Sequence, residues 1–89
     1  MEVFTTKIFE KRYADLPKRI KLKVEKQENI FKDNIFHPSL HTEKLSPKSK
    51  EVWSFRIDSK YRIAFRFLDD NKVAFLTVGS HDQVYRLNF

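Results

Sequence analysis

Large side chains in the first third of the chain recur with a helical period. Phe9, Tyr13 and Leu16 stand at i, i+4 and i+7, the spacing of a helix that buries one face. Thr6 is placed to cap its start. Pro17 ends this helix and suits the first turn of the next. Ile20, Val24, Gln27 and Phe31 continue the spacing with Lys and Arg on the opposite side, and Asp33-Asn34 closes the second helix. Ahead of both, Val3-Phe4-Thr5 reads as a short strand. The opening segment is therefore predicted to be a strand followed by a helical hairpin.

The period then changes to two. Leu40 to Leu45 is predicted as a short strand, followed by the polar loop Ser46-Pro47-Lys48-Ser49-Lys50. Trp53, Phe55 and Ile57 alternate with Ser54 and Arg56. After a turn at Asp58-Ser59-Lys60, Tyr61, Ile63, Phe65 and Phe67 alternate with Arg62, Ala64 and Arg66. Asp69-Asp70-Asn71 marks a second turn, in which Asn71 is the residue suited to a left-handed backbone. Val73 to Val78 is a nearly continuous apolar run, as in a strand covered on both faces. Tight turns between successive strands imply an antiparallel meander. The expected fold class is α+β, with a short N-terminal strand and helical hairpin packed on that meander as one domain over residues 1–89.

Composition narrows the function classes. Nine Phe, three Tyr and one Trp give an 89-residue chain the means to fill a core. The absence of Cys excludes a disulfide scaffold, a thiolate metal site and a cysteine nucleophile. No leader pattern and no long apolar run is visible, so the expectation is a soluble, cytoplasmic protein with no membrane partner. Eighteen Lys and Arg against twelve Asp and Glu leave a net charge of +6, which favours a polyanionic partner. Residues 1–50 carry twelve basic and seven acidic side chains, so most of the excess lies there, densest at Lys18, Arg19, Lys21, Lys23 and Lys26. The same run also fits an ordinary solvated helix face.

Two constellations carry chemistry. Strand alternation puts Arg62 and Arg66 on one face, with Arg56 on the neighbouring strand able to share it. Converging guanidinium groups call for an anion, or for neutralisation by Glu43, Glu51 or Asp58; both readings stand at this point. The second constellation follows Gly79, whose place as the only glycine marks a backbone position that other residues fit poorly. His81 lies just beyond it, suited to proton transfer near neutral pH. Tyr85 comes within reach of His81 if the segment turns helically. His37 and His41 have a superficial ligand spacing, but Pro38 between them and the missing Cys argue against a metal. No G-x-S-x-G turn or glycine-rich phosphate loop is present.

In combination, Val52-Trp53-Ser54-Phe55-Arg56-Ile57, Tyr61-Arg62-Ile63-Ala64-Phe65-Arg66 and Val78-Gly79-Ser80-His81-Asp82-Gln83-Val84-Tyr85 resemble the RelE/ParE superfamily of type II toxins. The likeness extends over nearly the whole chain in element order. For RelE-like members it implies a ribosome-dependent endoribonuclease that cuts mRNA in the decoding site without metal or other cofactor. Arg62 would then hold the scissile phosphate, His81 act as general acid or base, and Tyr85 stack on a base or orient the nucleophile. Arg56 and Arg66 would bind substrate beside Arg62. Lys48 and Lys50 precede the Trp strand, where some relatives carry functional lysines. Lys18, Arg19, Lys21, Lys23 and Lys26 would contact ribosomal RNA. The resemblance also implies a cognate antitoxin as partner.

Three other readings remain open. The ParE branch shares the fold and is implied to poison DNA gyrase without cutting RNA. A non-catalytic RNA-binding module would use the arginines and the basic helix and be indifferent to His81. A decayed, inactive toxin would keep the fold alone.

Overall fold

The computed structural model describes residues 1–45 and 51–86, so the loop carrying Lys48 and Lys50 lies outside the described residues. The chain begins with strand β1 (Glu2–Thr5), followed by helices α1 (Lys7–Ala14) and α2 (Lys18–Asp33). A 3₁₀ turn at Pro38–Leu40 leads to the two-residue strand β2 (Glu43–Lys44). Strands β3 (Val52–Arg56), β4 (Tyr61–Asp69) and β5 (Lys72–Ser80) come next, and helix α3 (His81–Arg86) follows directly.

Thr6 caps α1 as its position predicts. Its hydroxyl oxygen accepts from the Phe9 N–H at 3.0 Å and its O–H donates to the Leu76 carbonyl at 2.7 Å. One side chain thus starts the helix and ties it to β5. Pro17 stands at the N-cap of α2 rather than inside its first turn, with its carbonyl accepting from Ile20 and Lys21. Ile20, Val24, Gln27 and Phe31 are the buried positions of α2, as their spacing requires.

The five described strands form one mixed sheet in the order β1-β5-β4-β3-β2. β2 through β5 pair antiparallel, which bears out the meander, whereas β1 lies parallel to β5 through Val3 opposite Val73. That pairing joins the two ends of the chain, so no local turn signal announces it. The strand expected from Leu40 to Leu45 shrinks to Glu43–Lys44. Pro38 starts a 3₁₀ turn capped by the His37 ring nitrogen, and His41 then takes a left-handed conformation with φ 46°. Leu40 is fully buried from this turn and not from a strand. His41 is the only described non-glycine residue with positive φ, so Asn71 does not turn left-handed. Instead, the Asp69 carboxylate accepts the Asn71 N–H at 2.8 Å and shapes that turn.

The sheet faces have different roles. On one, Phe31 of α2 stacks on Phe55 at 4.6 Å between ring centres and meets Phe65 and Phe75 edge-on at 5.0 and 5.5 Å. Phe9 of α1 joins through Phe75. On the other, among the described residues, Val84 of α3 seats on Val52 and Ala64, with Leu45, Leu76 and Tyr85 packed around them. Among the described residues, no helix is long and apolar enough to cross a membrane.

Phe31→Ala is expected to cost about 3–5 kcal/mol in urea unfolding, whereas Phe36→Ala, at an exposed position, changes stability by less than about 1 kcal/mol. Asp58 supplies a pH-dependent share of stability. Burial alone would raise its pKa, but the Tyr61 and Lys60 N–H groups and Lys23 outweigh burial and leave it lowered. Its contribution is therefore complete above the ordinary Asp range near pH 4 and lost as pH falls through its lowered folded value. Asp58→Ala should flatten the acid limb of the stability-against-pH curve; an unchanged limb would contradict this.

Candidate functional site

The β3–β4 hairpin builds the first wall of the site. The Asp58 carboxylate accepts from the Lys60 and Tyr61 N–H groups at 2.8 Å each and fixes the turn. Lys23 reaches across from α2 to the same carboxylate at 3.3 Å. The turn in turn fixes Arg62. One guanidinium nitrogen donates to the Asp58 and Tyr61 carbonyls at 2.6 and 3.0 Å. Arg62 is only 6% exposed, so the sheet holds this cation rather than displaying it. Burial first, then the neighbouring Arg56, lower its pKa, while Tyr85, Asp58 and Glu43 oppose the shift.

Arg56 stands directly opposite Arg62 in the ladder and is exposed. Two arginines in this relation repel, and a bound anion would relieve both. Arg66 does not join them. It pairs with Val52, four ladder positions from the Arg56–Arg62 pair, and Val84 covers Val52 and the intervening Ala64. At about 3.4 Å per residue along a strand, Arg66 lies ~13 Å from Arg62. The expectation of three converging arginines thus reduces to a pair, because α3 rests on the middle of the same face.

The second wall is α3, which forms the helical turn that the reach of Tyr85 requires. The His81 N–H donates to the Lys60 carbonyl at 2.7 Å, tying the helix start to the same hairpin turn. The His81 ring stacks on Tyr85 with centres 4.2 Å apart and planes at 22°. The ring's Nδ1 lies 3.5 Å from the Asp82 carboxylate.

Glu43 completes the site, and it was not among the residues singled out as catalytic from sequence. The Tyr85 hydroxyl donates to its carboxylate at 2.5 Å and lies 3.5 Å from the Ser54 hydroxyl. β2 places Glu43 directly across from Ser54 on the arginine face. Lys44, the next residue, turns to the other face and lies over Trp53. The available signal was strand alternation beside the Trp strand, obscured by reading Leu40–Leu45 as one strand. Burial and the Glu43 carboxylate raise the Tyr85 pKa, so the phenol is protonated at neutral pH and donates. The assembled groups are a carboxylate, a phenol, an imidazole and two guanidiniums around one end of the sheet. They offer a proton acceptor, a proton donor and fixed positive charge.

Other sequence candidates lie elsewhere. Lys18, Arg19, Lys23 and Lys26 are exposed on α2, Lys23 being paired with Asp58, and Lys21 lies over the Tyr13 ring. Lys48 and Lys50 are outside the described residues. Among the described residues, no group of three or more His, Asp or Glu is placed to hold a metal ion.

Glu43→Gln is expected to bring the Tyr85 titration down toward the ordinary tyrosine value near 10, with part of the elevation kept because burial is unaltered. Tyrosine ring ¹³C shifts followed against pH would show this, and an unmoved curve would contradict the contact.

The comparisons with known proteins agree with this architecture. A YoeB/ParE toxin from Agrobacterium tumefaciens superposes with TM-score 0.76 at 19% identity, over 91% of this chain and 99% of that one. YafQ from E. coli gives 0.76 at 14% identity, over 93% and 96%. RelE in a RelB–RelE antitoxin–toxin complex from Methanococcus jannaschii gives 0.71 at 18%, over 92% and 94%. At such identities the likeness is one of fold. No curated protein matches the chain. The family model described as the ParE toxin of the type II toxin-antitoxin system parDE matches residues 3–85, nearly the full length, and the chain belongs to that toxin family.

Proposed function

We propose that the chain is an endoribonuclease toxin that cuts mRNA in the ribosomal A site and thereby stops translation. The observation that carries this reading is the convergence of Glu43, Tyr85 and His81 beside the Arg56–Arg62 pair. Metal-free RNA cleavage uses the 2′-hydroxyl as internal nucleophile on the adjacent phosphate. It needs a base for that proton, cations for the charge on the phosphorane, and an acid for the departing 5′-oxygen. In this reading Glu43 takes the 2′-hydroxyl proton and His81 protonates the 5′-oxygen, each transfer contributing about 10²–10⁴-fold. Arg62, preorganised by its turn, and Arg56 hold the phosphate. Tyr85 orients Glu43 and offers a ring face to a base. The products are a 2′,3′-cyclic phosphate and a 5′-hydroxyl.

The exposed α2 residues Lys18, Arg19 and Lys26 face ribosomal RNA in this reading, with Arg66, Lys48 and Lys50 along the substrate path. The chain acts in the cytoplasm as one domain, and a cognate antitoxin neutralises it. Complexes of this kind are described for YafQ with DinJ and RelE with RelB.

A second reading is favoured by the family model itself, which is that of the ParE toxin. Under it the same fold poisons DNA gyrase and the site is not used on RNA.

Purified protein added to a translation reaction, with mRNA 5′ ends mapped by primer extension, separates the two. Codon-phased cuts that require ribosomes are expected. Glu43→Gln, His81→Ala and Arg62→Lys should each lower their yield by at least about 10²-fold. Intact mRNA with and without ribosomes would overturn the nuclease reading, and accumulation of gyrase-linked DNA breaks would establish the second.

A further inference from the structure

Helix α3 carries two of the site's side chains and spans six described residues, His81–Arg86. A helix this short does not hold itself together. Val84 seats its underside and the His81 N–H fixes its start, but neither contact sets the direction of the first turn. A reciprocal pair of hydrogen bonds does. The Ser80 N–H donates to Gln83 Oε1 at 2.9 Å, and the Gln83 N–H donates to Ser80 Oγ at 3.2 Å. This is the capping-box arrangement, in which two residues three apart satisfy each other's free N–H groups.

The position before the box explains the only glycine in the chain. Gly79 has no positive φ, so its conformational freedom is not in use. What it supplies is room. A Cβ there would stand 2.7 Å from Gln83 Oε1, with the next nearest atoms, Gln83 Cβ and Cδ, at 3.4 and 3.6 Å. The three nearest atoms to that missing methyl, beyond its chain neighbours, all belong to Gln83. The Gln83 side chain reaches the Ser80 N–H only by crossing the space that a side chain at residue 79 would fill.

We propose that Gln83 is a positioning residue and that Gly79 is bare in order to admit it. Together with Ser80 they fix the turn that stacks His81 on Tyr85 and aims both at the phosphate. Gln83 touches no reacting atom in this account; it acts through the helix. The inference rests on the nuclease reading for its consequence in rate, though not for its geometry.

The test is a double-mutant cycle of Gln83→Ala and Gly79→Ala, with Gln83→Glu as the conservative variant. The His81 imidazole protons, shifted by the Tyr85 ring, report the stack by NMR independently of any chemistry. Cutting of ribosome-bound mRNA reports the consequence. Gln83→Ala and Gly79→Ala should each abolish the ring-current shift and slow cutting by about tenfold. The double variant should be no worse than either single one, because the alanine methyl at residue 79 then has no side-chain oxygen to displace. Gln83→Glu keeps an acceptor oxygen and should retain both readouts within about twofold. Unaltered His81 shifts in Gln83→Ala would overturn the proposal. So would losses that multiply in the double variant, or a lost shift with cutting intact. If the unaltered protein cuts no RNA, the nuclease reading falls, while the imidazole shifts still decide whether Gln83 sets the stack.

Discussion

The structure depends first on where Phe31 goes. Its ring is fully buried among Phe55, Phe65 and Phe75, one from each of the three central strands. That contact commits α2 to one face of the sheet, and Thr6 with Phe9 commits α1 to the same face. A chain of 89 residues has too little apolar surface to cover both faces with long helices. Among the described residues, the opposite face carries the short helix α3 over a small apolar cluster and, beside it, the polar side chains of the site. The exposed half of the sheet and its chemistry follow from putting the aromatic core on a single side.

On that open face, three chain segments distant in sequence meet. The β3–β4 hairpin delivers Arg56 and Arg62, β2 delivers Glu43, and α3 delivers His81 and Tyr85. Each is fixed through a neighbour rather than by its own packing. Arg62 is held by carbonyls of the Asp58 turn, Lys23 from the core-side helix steadies that turn, and His81 starts from the Lys60 carbonyl beside it. The turn at Asp58–Tyr61 thus links helix α2, the buried cation and the helix that carries the imidazole. A site this exposed keeps its geometry because its anchors are backbone groups of a tight turn. Arg66, on the same strand and face but past the Val84 contact, has no share in the arrangement.

Much of this was legible in the sequence. Period 3.6 marked both helices, period two marked β3 and β4, and the Tyr-Arg strand with the Gly-x-His end pointed to the toxin superfamily. Two of the misreadings share a cause: side chains replaced backbone signals. His37 caps a turn that alternation alone read as strand, and Asp69 shapes a turn that Asn71 was expected to make. β1 pairs parallel with the far end of the chain, and nothing in a local window reports such a partner. Glu43 escaped notice because two residues of strand carry almost no pattern. Gly79 was recognised as special, yet the reason lies four residues on, in Gln83.

The account stands or falls on the identity of the nucleophile. In the proposed reading, with Glu43, His81 and two arginines as the working groups, the attacking oxygen is the RNA's own 2′-hydroxyl. The decisive measurement is mass spectrometry of the new 3′ ends on fragments of ribosome-bound mRNA after exposure to the protein. A 2′,3′-cyclic phosphate, matched by 5′-hydroxyl ends on the downstream fragments, is the expected result. Fragments ending in a 3′-hydroxyl opposite a 5′-phosphate would mean that water attacks instead, and would contradict it.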